Sequence, residues 1–223
     1  MPKIIFEKLI ISESENWIIL NKPSGMITES NPFEQALEDH LKAYLTKNKK
    51  NAFVGVVHRL DKVTSGLIIF AKKKSILKIL NTMIANRQIK KAYQAIVEKK
   101  PNTDSATLVN QIEKDIKNKK AVIHTKPSKN TKEAKLKYSV NKKTHLGYLL
   151  NIDLYTGRFH QIRAQLAHIE SPIVGDSKYE GIKHEQVEKG RILLHANKLS
   201  FPKNEIGLAS QVHCAMDLPN ESK

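Results

Sequence analysis

One cysteine, Cys214, stands among 223 residues, so no internal disulfide can form and a reducing cytoplasm is the expected setting. No apolar run approaches the length of a membrane-spanning helix, and no charged-then-apolar leader opens the sequence. The nine histidines are scattered, and no Cys/His group has zinc-ligand spacing. There is no glycine-rich phosphate loop and no serine or cysteine in a nucleophile elbow. Bound metal, a nucleotide cofactor and elbow-type hydrolysis are therefore not expected. Acidic residues are the other shortage: 22 against 38 basic ones, a net charge of +16.

That excess is unevenly placed. Residues 1–40 hold three lysines and seven acids, whereas residues 99–143 hold thirteen lysines and four acids. A uniform lysine excess would fit a lysine-rich proteome. A concentrated one suits a polyanion, because cations near phosphates release condensed counterions. Nucleic acid is favoured over anionic membrane, since no basic amphipathic helix carries an aromatic face. A solvated surface is the plainer account of the same lysines.

The length suits one well-buried core. Ile4–Phe6, Leu9–Ile11 and Trp17–Leu20 read as strand material, followed by a turn at Asn21-Lys22-Pro23-Ser24-Gly25. Lys22 is expected to serve that loop and at most to touch phosphate. Asn31-Pro32-Phe33-Glu34 predicts the start of a helix capped by Asn31, with Leu37, Leu41, Tyr44 and Leu45 on one face and a solvated end at Lys47–Lys50. Val54–Val57 leads into the next motif. Ser75 is the predicted cap of a second helix, with Ile76, Leu77, Leu80, Met83 and Ile84 facing the core. Strands are predicted at 92–97, 136–140, 148–155 and 198–201. The lysine-rich 99–143, poor in large apolar residues, predicts a hairpin or loop insertion.

Two stretches carry the chemistry. His58-Arg59-Leu60-Asp61-Lys62-Val63-Thr64-Ser65 runs from a charged turn into Gly66–Ala71, the pattern of a strand buried on both faces. An arginine and a carboxylate two residues apart sit at the mouth of that strand. By itself such an aspartate more often closes a turn than does chemistry. Thr156-Gly157-Arg158-Phe159-His160-Gln161-Ile162-Arg163 is the second, a strand-to-helix turn with Gly157 as its pivot and an apolar stripe at Ile162, Leu166 and Ile169.

The first stretch resembles the catalytic motif of the RluA-type RNA pseudouridine synthases, and the second resembles that family's Thr-Gly-Arg-x-His-Gln-Ile/Leu-Arg run. Lys91-Ala92-Tyr93, heading a predicted strand, is similar to its Lys-x-Tyr motif, and the Lys22–Gly25 turn to its Lys-Pro-x-Gly element. The order also matches through Pro172–Asp176, Tyr179 and Gly181 to Leu194-His195-Ala196. The likeness runs from about Ile10 to about Phe201.

This resemblance implies an α+β fold: a mixed, mostly antiparallel sheet flanked by helices and crossed by a central cleft, with Asp61 near its floor. It implies one catalytic domain over 1–223, without the S4-type N-terminal module some relatives carry. The implied reaction detaches uracil from C1′ of an RNA uridine, turns it and rejoins it through C5, with no cofactor. Asp61 would attack C1′ or take a proton from C2′. Arg163, with Arg158 as the alternative, would keep that carboxylate ionised, since a guanidinium lowers a carboxyl pKa by about one to three. Tyr93 would stack on the base, and Arg59 would fill the space left by the flipped nucleotide.

Each has a blander role available: a core aromatic for Tyr93, a loop-ordering ion pair for Arg59, a phosphate clamp for Arg158 and Arg163. The expected substrate is ribosomal or transfer RNA, and the expected state a cytoplasmic monomer with no membrane or small-molecule partner. A basic RNA-binding protein on the same scaffold, without chemistry, is the competing reading.

Overall fold

The computed structural model describes residues 5–47 and 51–219. A 3-10 turn (Phe6–Leu9) precedes strands β1 (Ile10–Glu13) and β2 (Trp17–Lys22). Helix α1 (Leu37–Thr46), β3 (Gly55–Val56), β4 (Ser65–Ala71) and helix α2 (Lys74–Ala85) follow. Next come β5 (Lys90–Val97), β6 (Ser105–Asp115), β7 (Lys120–His124), β8 (Lys132–Thr144) and β9 (Gly147–Leu154). Helix α3 (Gln161–His168), a 3-10 turn (Ser177–Tyr179), β10 (Leu194–Ser200) and β11 (Gln211–His213) complete the order. The fold is α+β with mostly antiparallel strands, as the sequence predicts. No described helix is long and apolar enough to cross a membrane.

The chain divides into two compact units, Met1–Lys90 with Ala196–Ala215, and Lys91–His195 with Met216–Lys223. In the first, β4 pairs antiparallel with β2 from Trp17↔Ala71 to Lys22↔Gly66, and β10 pairs with β11. Gly66 through Ala71 are all buried, so this strand is covered on both faces, and its unbroken apolar run has that physical cause. Leu67, Ile69 and Ala71 pack with Trp17, Ile76, Leu80, Leu199 and Phe201. The indole of Trp17 donates to the Ile206 carbonyl at 2.8 Å.

The second unit orders its strands β5-β9-β8-β6-β7, with Tyr93 opposite Ile152 and Leu136 opposite Leu154. The lysine-rich segment forms regular strands with one solvated face. Ala134, Leu136 and Tyr138 are buried while Lys135 and Lys137 between them are exposed. Alternation of this kind is how a strand poor in large apolar residues still contributes a core face. Ile112, Ala121 and Ala134 pack against Ala164 of α3 and Tyr179.

Four local expectations change. Phe6 belongs to a 3-10 turn rather than a strand; Ile4 lies outside the described residues, as do Asn48, Lys49 and Lys50. Asn31 does not cap a helix: its side chain accepts from the Phe33 and Glu34 amides at 2.8 and 3.1 Å, closing an Asx turn. The helix starts at Leu37, after an extended Ala36 whose amide donates to Asp39 at 2.9 Å. Ser75 lies inside α2, whose N-cap Lys73 makes no side-chain cap.

Candidate active site

Asp61 sits half-buried in the loop between β3 and β4, where the Thr64 amide donates to its carbonyl at 3.0 Å. A bracket of hydrogen bonds holds this loop from below. Gly25 N–H donates to the Lys62 carbonyl at 2.8 Å and the Ser24 hydroxyl to the Val63 carbonyl at 2.8 Å. Thr28 exchanges bonds with Leu60, its hydroxyl donating to the carbonyl at 3.1 Å and accepting from the amide at 3.3 Å. Downstream, Gly66 has φ +114°, and a Cβ there would lie 2.4 Å from the Ala196 carbonyl oxygen. Only glycine lets the chain pass so close on leaving the loop.

Lys22 is at the centre of the bracket, serving its loop as the sequence predicts. Its side chain is fully buried. Nζ donates to the carbonyls of Met26 (2.7 Å), Pro23 (2.9 Å) and Lys62 (3.2 Å), so the three donors of an ammonium meet three backbone acceptors. Burial pushes this ammonium down to about 7, against the opposing pull of the Asp61 carboxylate. A surface lysine could reach phosphate; one inside a cage of carbonyls serves the loop. The flanking cations are exposed and paired: Arg59 Nη1 bonds Glu29 at 2.8 Å, and Lys62 pairs with Glu34.

In the second unit Tyr93 is buried on β5, with Ala95 and Val97 on the same face. Arg163 is buried on α3, where Nε and Nη2 donate to the two oxygens of Asp176 at 2.7 and 2.8 Å. Its guanidinium lies 5.0 Å from the centre of the Tyr179 ring. The Tyr179 hydroxyl accepts from the Ala121 amide at 2.6 Å and meets His160 Nδ1 at 3.0 Å. Burial pushes the His160 pKa down to about 3, with the Arg163 charge acting the same way, so the imidazole beside the phenol is neutral. Arg158 is half-buried, its Nε donating to the Glu133 carbonyl at 2.8 Å.

The pivot of this turn is not Gly157, whose φ is not in the left-handed region. His160 takes that conformation instead, at φ 49°. Gln161 accounts for the rest: its side-chain oxygen accepts from the Thr156 hydroxyl at 2.8 Å and the Arg158 amide at 3.0 Å, binding the entry of the turn to the first residue of α3. Its amide group then reaches Gln165, which reaches Asn110 on β6.

Arg59 and Asp61 thus share one loop of the first unit, while Tyr93, Arg158 and Arg163 belong to the second. Sequence reasoning gave Lys22 only to its loop and assigned no role to Asp176, Tyr179 and His160, which surround Arg163. Lys22 and His160 lie inside the Lys-Pro-x-Gly and Thr-Gly-Arg runs, and the signal for Asp176 was an aspartate between Gly175 and a nearby tyrosine.

The sequence pattern of the family described as RNA pseudouridylate synthase matches residues 16–168. The ribosomal large subunit pseudouridine synthase C of Buchnera aphidicola is 35% identical over 217 residues, covering 89% of this chain and 64% of that protein. An uncharacterized RNA pseudouridine synthase of Mycoplasma genitalium is 32% identical over 192 residues, covering 86% and 61%. The Rickettsia bellii ribosomal large subunit pseudouridine synthase C is 32% identical over 221 residues, covering 99% and 71%. The chain therefore spans less than two thirds of the length of the first two relatives. Among solved structures, Human RNA Pseudouridylate Synthase Domain Containing 4 shares the fold with a TM-score of 0.76 at 22% identity, over 96% of this chain and 91% of that one. With its Asp61 loop, its Tyr93 strand and its Arg158–Arg163 turn inside the matched span, the chain belongs to the RNA pseudouridylate synthase family.

Proposed function

We propose that this chain isomerises uridine to pseudouridine in structured RNA, with Asp61, Tyr93 and Arg163 acting together on one flipped nucleotide. The C1′–N1 bond breaks, the uracil turns, a C1′–C5 bond forms, and the proton on C5 leaves as N1 gains one. Asp61 acts at the sugar, at C1′ or C2′. Arg163 supplies the positive charge that keeps the Asp61 carboxylate ionised, and Tyr93 lies over the base. Arg59 fills the vacated stack, exchanging Glu29 for RNA, and Arg158 contacts phosphate. The two units serve as one catalytic domain, needing no small-molecule cofactor, in a cytoplasmic monomer.

The observation that carries this reading is the fixed Asp61 loop, gripped by the Lys22–Thr28 bracket in a chain that matches the family. A protein that only bound RNA would need its cations, not a held carboxylate. Large-subunit ribosomal RNA is the substrate class we favour, on the names of two of the relatives. The test is Asp61→Asn. Tritium release from RNA labelled at uridine C5 should vanish while RNA binding persists; undiminished release would remove Asp61 from the chemistry. Pseudouridine mapping of total RNA with and without the gene identifies the target.

A further inference from the structure

The turn after α3 is built around one carboxylate. Asp176 is 1% exposed and chelates Arg163, itself 5% exposed, through two nitrogens. The backbone presents it firmly: the Asp176 amide donates to the Ile173 carbonyl at 3.0 Å, and its carbonyl accepts from Tyr179 and Gly181 at 2.9 Å each. Gly175, at φ +87°, makes the approach, and a Cβ there would meet the Arg191 carbonyl oxygen at 2.5 Å. Tyr179 closes the other side, its ring against the guanidinium and its hydroxyl tied to Ala121 and His160.

A buried arginine needs a counter-charge to remain in place, and a two-pronged carboxylate fixes the plane of the guanidinium as well as its position. Asp176 engages Nε and Nη2, which determines the direction in which the Nη1 edge points. We propose that Asp176 is the positioning residue of the reaction, fixing the plane and reach of the Arg163 guanidinium, with the Tyr179 ring as the wall that prevents it from swinging. This rests on the reading in which Arg163 sustains the ionised Asp61. Asp176 touches neither substrate nor reacting atom; it acts through the arginine. Its own negative charge works against ionisation of a second carboxylate, so geometry and charge predict opposite effects when it is removed.

The test compares Asp176→Asn, Asp176→Ser, Arg163→Lys, Arg163→Ala and the double variant Asp176→Asn/Arg163→Lys on an RNA transcript, with folding checked by circular dichroism. An asparagine offers one acceptor oxygen in place of two, so the two-pronged grip is lost and the guanidinium turns, and a displacement of about 1 Å can cost on the order of a hundredfold in rate. Asp176→Asn should lower kcat about ten- to a hundredfold and leave KM for RNA within about threefold. The acid limb of its kcat profile should move to higher pH, because a misdirected guanidinium no longer holds Asp61 ionised.

The double variant should be no slower than the slower single one. Wild-type kcat in Asp176→Asn alongside a slow Arg163→Lys overturns the positioning role and leaves the proposed function standing. An acid limb displaced to lower pH, or independent losses in the double variant, also overturns it. Wild-type kcat in Arg163→Lys together with Arg163→Ala would remove Arg163 from the reaction, and this inference with it. Loss of fold in both Asp176 variants would make Asp176 a stability residue and overturn the assignment.

Discussion

Lys22 shows how much one side chain can hold. Methionine at this position would relieve the buried charge but leave the carbonyls of Pro23, Met26 and Lys62 short of donors. Breaking a buried charged group from its partners costs about 3–5 kcal/mol, and relief of desolvation offsets part of that. Lys22→Met should therefore unfold at lower urea, with a loss of about 2–4 kcal/mol, and under the proposed function kcat should fall because the Asp61 loop loses its floor.

The pH dependence has a definite sign. In the folded chain the ammonium titrates at about 7, and in the unfolded chain near the ordinary 10.5. Between those values the unfolded state binds the extra proton, so this residue makes stability rise with pH across that window. Urea midpoints at pH 7 and 9 should show that rise in the wild type and lose it in Lys22→Met; equal slopes would mean that Lys22 is not the source. Gly66→Ala is a harsher change. The positive φ and the Ala196 backbone together should cost at least about 2 kcal/mol, read as a lower melting temperature.

At the scale of elements, burial decided what could be read in advance. Gly66–Ala71 and the alternating Leu150–Leu154 were legible because a strand covered on both faces and one covered on a single face leave different patterns. The start of α1 was not, because Asn31 can cap a helix or close an Asx turn with the same atoms, and only the extended Ala36 settles which. The candidate site was legible as motifs, since Asp61, Arg163 and Tyr93 stand in short recognisable runs. Its supports were not: the partners of Lys22 are backbone carbonyls, which no side-chain pattern records, and Asp176 stands thirteen residues from Arg163.

The β6–β7 hairpin carries a prediction of its own. Lys114 and Lys120 lie over the rings of Phe159 and Tyr179, at 4.9 and 5.1 Å, and so take part in packing. Lys117 and Lys119 are exposed at the tip, which Lys178 braces through the Asn118 and Lys119 carbonyls at 3.5 and 3.3 Å. Under the proposed function, Lys117→Gln with Lys119→Gln should raise KM for RNA about three- to tenfold without changing kcat. The slope of log affinity against log salt should become shallower by about 0.7 to 0.9 for each phosphate that these lysines no longer neutralise. An unchanged slope would place RNA away from this tip.

For the molecule as a whole, the order of the chain sets what can fold without what. The first unit is discontinuous: its helices and β1–β4 come from the first ninety residues, but Ala196–Ala215 must return to finish it. Four buried side chains in its core arrive only then, Leu199, Phe201, Ile206 and Leu208, packed with Trp17 and Ile69. Burying such a side chain contributes about 1.5–3 kcal/mol, so removing the returning segment forfeits roughly 6–12 kcal/mol. A domain has on the order of 5–15 kcal/mol in total, and the loss is of that size.

A chain ended at His195 should therefore lose the first unit, the Asp61 loop included. Trp17 is the sole tryptophan and is 4% exposed, its indole bonded to the Ile206 carbonyl that the truncation removes. Its emission should move from the blue, buried position to that of a solvated indole, with no cooperative transition on heating. A truncated chain that kept blue emission and a sharp melt would show that β1, β2 and β4 hold together without the returning strands, and that the sequence-distant part of this core is dispensable.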